Sequence, residues 1–114
     1  MNKSGIRHLG KLGDIEKVFA AYQHAVDLTP EGHPAKPDRL HGLSMSLLDR
    51  FQKIGERDDL DRAIAINQKA VELTPEGHPN GPPRIQTLGE SLLARFLLLG
   101  ELADLECTIV NHLH

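Results

Sequence analysis

The sequence predicts an all-α fold, a solenoid of stacked helical hairpins, and three observations carry that expectation. The first is an internal repeat. Ala25-Val26-Asp27-Leu28-Thr29-Pro30-Glu31-Gly32-His33-Pro34 returns as Ala70-Val71-Glu72-Leu73-Thr74-Pro75-Glu76-Gly77-His78-Pro79, an offset of 45 residues. The same shift carries Arg39 to Arg84, Leu43 to Leu88, Ser46-Leu47-Leu48 to Ser91-Leu92-Leu93, Arg50-Phe51 to Arg95-Phe96 and Gly55-Glu56 to Gly100-Glu101, and about 26 of 69 overlapping positions are identical. Identity at this level marks a tandem array. The second observation is apolar spacing at three and four residues, the period of one helix face. The third is that no stretch shows the two-residue alternation of a strand.

The elements follow in chain order, and roughly two and a half units fit: 1–34 as a partial first repeat, 35–79 as the second and 80–114 as a truncated third. Residues 1–9 align with the last turns of a first helix, and Gly13-Asp14 opens a second helix that runs toward Pro30. In the complete unit, Asp38 is placed to cap a helix whose apolar positions are Leu40, Leu43, Leu47, Phe51 and Ile54, and Gly55 stops it. Asp58 and Asp61 resemble a capping box for the next helix. Its buried side is Leu60, Ala63, Ile64, Ala70 and Val71, widened by Ile66 and Leu73, as suits a helix between two neighbours. Thr74-Pro75 ends it, since proline disfavours the helical region for the preceding residue. The segment from Glu76 to Pro83 is a turn, with Pro83 near the start of the next helix. In the third unit Asn111 to His114 correspond to a position still inside the second helix, so the chain reads as a piece of a longer array.

Composition bounds the rest. The chain has 114 residues, 39% hydrophobic and 25% charged, which is enough for one small unit and one core. A formal charge of −3, 4% aromatics and no Trp argue against a nucleic-acid footprint or a base-stacking platform. No apolar run approaches the roughly 20 residues of a membrane span, and the first residues do not lead into a signal-like apolar region. The single cysteine, Cys107, has no internal partner, which places the chain by default in the reducing cytoplasm.

These residues reach a family. Gly13-Asp14-Ile15-Glu16-Lys17-Val18-Phe19, with Tyr22, Ala25-Val26 and Pro30, resembles the second helix of a tetratricopeptide repeat. Asp58 to Ile64, with Ala70 and Pro75, matches again, although Asn67 stands where an aromatic is usual. Leu88-Gly89 and Leu92 resemble the first helix; Leu43-Ser44 lacks the glycine, and no tryptophan opens either copy. The period exceeds the usual 34 by 11 residues. About seven of these lie within the hairpin, close to two helical turns, so each stripe keeps its face. Long repeats of this kind are similar to fungal arrays associated with caspase-like (CHAT) peptidase proteins. The resemblance implies a fragment of a right-handed superhelix that binds protein or peptide without catalysis, or alternatively a regulatory or substrate-presenting segment of a larger caspase-like peptidase.

No catalytic constellation is visible. Cys107 aligns with charged residues and so with solvent, and the carboxylates fall at helix starts or on solvated faces. His33 and His78 recur with their whole turn, which points to turn capping or packing and not to a metal site; His112 and His114 point apart on a helix. No metal and no cofactor are expected. The resemblance nominates a concave face formed by first helices: Asp38, His41, Met45 and Asp49 in one unit, and Gln86, Glu90 and Ala94 in the next. Chaperone-binding members carry lysines and asparagines there, and this face is instead mildly acidic with an adaptable Met. It would favour a basic or partly apolar segment; the alternative is that these are plain solvated helix residues. Leu97, Leu98 and Leu102 replace Gln52, Lys53 and Arg57 of the preceding unit, so they are expected to contact a following repeat or a second copy of the chain, unless the second helix folds back over them.

Overall fold

The computed structural model describes the backbone of residues 3–113 and the side chains of residues 13–100. Four α-helices follow one another: α1 (Lys3–Asp27), α2 (Lys36–Ile54), α3 (Arg57–Leu73) and α4 (Gly81–Leu113). The fold is all-α, and no strand occurs among the described residues. Each helix packs on the next in the chain, α1 on α2, α2 on α3 and α3 on α4. The result is a layer, 57 × 47 × 22 Å, whose thin dimension is about two helix diameters. Its radius of gyration is 17.7 Å, against about 13 Å for a globule of this length.

The core lies where α2 meets its two neighbours. Leu40, Leu43 and Leu47 from α2 pack with Val26 of α1 and with Ala63 and Ala70 of α3, and Phe19, Leu48 and Ile66 close the edges. Ala63 and Ala70 are fully buried, as the close approach of the paired helices requires. The predicted stripe is narrower than expected at its ends, because Ile54 and Leu73 stand exposed at the two helix termini.

Gly55 ends α2 in the left-handed conformation (φ 86°), with its N–H bonded to the Phe51 carbonyl at 2.7 Å. Glycine adopts this conformation without the Cβ penalty that other residues incur. Across that turn Arg50 grips Asp59 with both ends of its guanidinium, at 2.8 Å each, and stacks on the Phe19 ring at 4.2 Å. The Asp59 hydrogen bond raises the Arg50 pKa further above its already high ordinary value, against the opposing effect of burial.

Two expected helix starts move. α2 begins at Lys36, with Ala35 and not Asp38 as its N-cap. No side chain caps the helix; His33 Nδ1 accepts the Ala35 N–H at 3.0 Å within the preceding turn, and the Asp38 carboxylate pairs instead with Arg84. α3 begins at Arg57 after Glu56, with no side-chain cap. There Asp59 is committed to Arg50, while Asp58 remains an exposed first-turn acid that complements the helix dipole. Thr74 closes α3 as anticipated, its N–H bonded to the Val71 carbonyl.

The outer helices also differ from the expected hairpins. Gly10 and Gly100 align with Gly55, but α1 and α4 run through both positions without a break.

Candidate functional site

The two Thr-Pro-Glu-Gly-His-Pro turns have the same internal wiring. Thr29 and Thr74 each donate their hydroxyl to the carbonyl four residues back, at 2.6 Å. Gly32 and Gly77 both take the left-handed conformation, φ 85° and 81°. His33 and His78 each accept a backbone N–H on Nδ1 at 3.0 Å, from Ala35 and Asn80. That fixes the proton of each neutral ring on Nε2. An arginine ten residues after each threonine then ties the turn to the next helix: Arg39 to the Thr29 hydroxyl, and Arg84 to the Thr74 hydroxyl at 2.7 Å.

Between the turns lies an open crevice of about 360 Å³, whose polar walls are His33, His78, Lys36, Asp38 and Arg84. Its cations are already engaged. Lys36 is buried, donates to the Val26 and Thr29 carbonyls at the end of α1, and faces Glu31 at 3.6 Å. Arg84 is buried and pairs with the exposed Asp38. Glu31 also bonds Lys69 of α3 at 3.1 Å, and the Lys69 ammonium holds its carboxyl below the ordinary value.

The predicted face is only partly drawn together. Asp38 and His41 converge with Arg84, Asn80 and Pro83 in a shallow depression between α2 and α4. His41 does not stand free: its Nδ1 lies 3.1 Å from Asn67 Oδ1, while Asn67 Nδ2 donates to the Arg84 carbonyl at 3.0 Å. Because the amide nitrogen is used there, Oδ1 must accept, and His41 Nδ1 donates. Asp49 pairs with Lys53 one turn on, and Gln86 donates to Glu90. Glu90 and Ala94 border a small crevice with Leu48, Phe51 and Leu60. Met45 projects from α2, 46% exposed. In the other predicted cluster Leu97 is exposed and Leu98 half-buried; the side chain of Leu102 lies outside the described residues, as do Cys107, His112 and His114.

The polar residues that organise this region were the hardest to find from sequence. Asn67 is completely buried, yet its partners lie 26 and 17 residues away. Lys36 has no counterpart in the next unit, where Gly81 occupies its place. Thr29 and Thr74 with Arg39 and Arg84 did leave a signal, the same ten-residue spacing in both units.

Comparison of the chain with protein-family models, with curated proteins and with solved structures gives no match. The chemistry available must therefore be read from the geometry. Among the described residues no group of three or more His, Cys, Asp and Glu side chains is placed to hold a metal ion, and no helix is long and apolar enough to cross a membrane.

Proposed function

We propose that the chain is a non-catalytic scaffold of tetratricopeptide-like helical repeats, whose α2 and α4 face receives a basic or partly apolar protein segment. The observation that supports this most is the stripe formed by Asp38, His41, Met45 and Asp49. Steps of three and four residues set these positions on one side of α2, and Met45 stands exposed between acids. An unbranched thioether adapts to irregular apolar partners. Asp38 and Asp49 are already paired with Arg84 and Lys53, so attraction for a cationic segment rests chiefly on Glu90, bonded to the Gln86 amide, over a distance that salt shortens. Glu90 and Gln86 continue the stripe on α4. The arrangement favours a mixed Lys and Leu segment over an acidic tail. On this reading Leu97 and Leu98 belong to a separate contact with further copies of the unit.

Fluorescence anisotropy with labelled twelve-residue peptides tests the reading. A peptide alternating Lys with Leu should bind at least tenfold more tightly than its Glu counterpart. Asp49→Lys with Glu90→Lys should remove that preference, and raised salt should weaken binding. Equal affinity for both peptides, or a preference that survives the charge reversal, overturns the proposal.

A further inference from the structure

α4 carries the apolar stripe of α2 without the helix that covers it there. Leu47 is fully buried within the α2–α3 cluster, whereas Leu92, 45 residues on, is 37% exposed, and Phe96, the counterpart of the half-buried Phe51, reaches 71%. By repeat register the missing cover is residues 102–113, which correspond to 57–68 of α3. Leu60 and Ile64, both buried, recur in sequence as Leu105 and Ile109. A segment collinear with α4 cannot lie on α4.

The ion pairs lead to the same place. Arg50 holds two carboxylates, Asp59 across the hairpin at 2.8 Å and Glu16 of α1 at 3.2 Å. Arg95 is its counterpart, and it meets Asp61, the counterpart of Glu16, at 3.5 Å. The counterpart of Asp59 is Asp104. Nine residues along one helix separate positions 95 and 104 by about 13.5 Å and put them on opposite faces. Half of the Arg95 clamp is made, and an unbroken α4 cannot complete it.

The geometry points to a second copy of this chain as the occupant. Two α4 helices lie antiparallel, and residues 102–113 of each cover the stripe of the other, a swapped form of the α2–α3 hairpin. The hairpin fixes the register: 50 opposite 59 becomes Arg95 opposite Asp104 of the partner subunit. The reverse pair is then the same contact, so the twofold axis falls between Leu99 and Gly100. Such closure on itself is what an isologous dimer requires, and exchange of an identical element is a low-cost route to it. Gly100 meets nothing within 4 Å of where a Cβ would stand, which leaves room for a close crossing. The inference rests on residues 80–114 being a third copy of the unit and is independent of what the α2 face binds.

Sedimentation velocity on the full chain is expected to show a dimer. Arg95→Asp and Asp104→Arg each set like charges at both crossings, so each variant alone should shift to monomer. Mixed in equal amounts, the two variants restore opposite charges at both crossings of the heterodimer, and the dimer should return at least tenfold over either alone. Closure within one chain would instead give a monomeric parent and no recovery on mixing, and either result overturns the inference. A second measurement holds if a variant folds poorly. Leu47 and Ala63 share one buried cluster, so Leu92→Cys with Thr108→Cys, in a Cys107→Ser background, should yield a disulfide-linked dimer on a non-reducing gel. A purely intramolecular bond overturns it. Neither outcome bears on peptide binding by α2, which has its own test.

Discussion

Arg84 donates from Nη1 to the Thr74 hydroxyl at 2.7 Å, across the turn that joins α3 to α4. The hydroxyl has already given its proton to the Ala70 carbonyl, so one side chain closes the end of α3 and receives the first buried cation of α4. The pair Thr29 and Arg39 repeats the arrangement one unit earlier.

Thr74→Val keeps the shape and removes both bonds. It should strand Nη1 of a buried guanidinium whose Nε already lacks a partner, at about 1 to 3 kcal/mol. Thr29→Val should cost less, because Arg39 is only half-buried and water can replace the hydroxyl. Urea titration of the two variants gives the comparison; equal losses would remove the difference in burial as its cause.

Ala70 is fully buried where α3 packs into the Leu40, Leu43 and Leu47 stripe. Ala70→Leu should overpack it and lower stability by about 1 to 3 kcal/mol. The exposed alanine five residues earlier, Ala65, is the control: Ala65→Leu should melt within a degree or two of the parent.

How much of this was legible beforehand depended on whether a residue's conformation is local. The Thr-Pro-Glu-Gly-His-Pro turns and the stop at Gly55 could be read because glycine and proline carry their backbone preferences with them. The same logic failed at Gly100. A glycine inside a helix costs only about 1 kcal/mol relative to alanine, and α2 turns at Gly55 where Arg50 and Asp59 grip each other across the hairpin. The helix starts slipped for a related reason: Asp38 pairs with Arg84 and Asp59 with Arg50, partners distant in sequence, and both helices start without a side-chain cap. On the candidate face, spacing could set Met45 on the exposed side of α2 but could not show that His41 spends its Nδ1 on Asn67. A buried amide whose partners come from two other helices has no sequence signature.

Glu31 gives a pH prediction. Its carboxyl is held below the ordinary value, first by the hydrogen bond from Lys69 and then by the charges of Lys69 and Lys36. A carboxyl with a depressed folded value adds stability above its unfolded value and loses it as the pH falls through the folded one. The Glu31 link between the first turn and α3 is therefore intact at neutral pH and released in acid, as the pH falls through the lowered folded value. Lys69→Ala should move the Glu31 titration upward, read from its side-chain carboxyl resonance. No movement would mean that the ion pair is absent in solution.

The last prediction concerns Gly42, in the middle of α2. A Cβ built there runs into the Tyr22 ring of α1, so the absent side chain is what admits the aromatic. One unit on, the corresponding residues are Asn67 and Thr87, a smaller side chain facing a position that is no longer glycine. Gly42→Ala should therefore displace the ring and destabilise the chain by about 1 to 3 kcal/mol. In a Tyr22→Asn background the obstruction is gone, and only the helix propensity gain of about 1 kcal/mol over glycine remains. The same substitution should then be neutral or stabilising. A double-mutant cycle by chemical denaturation reads the change of sign, and an equal loss in both backgrounds would show that Tyr22 is not what position 42 accommodates.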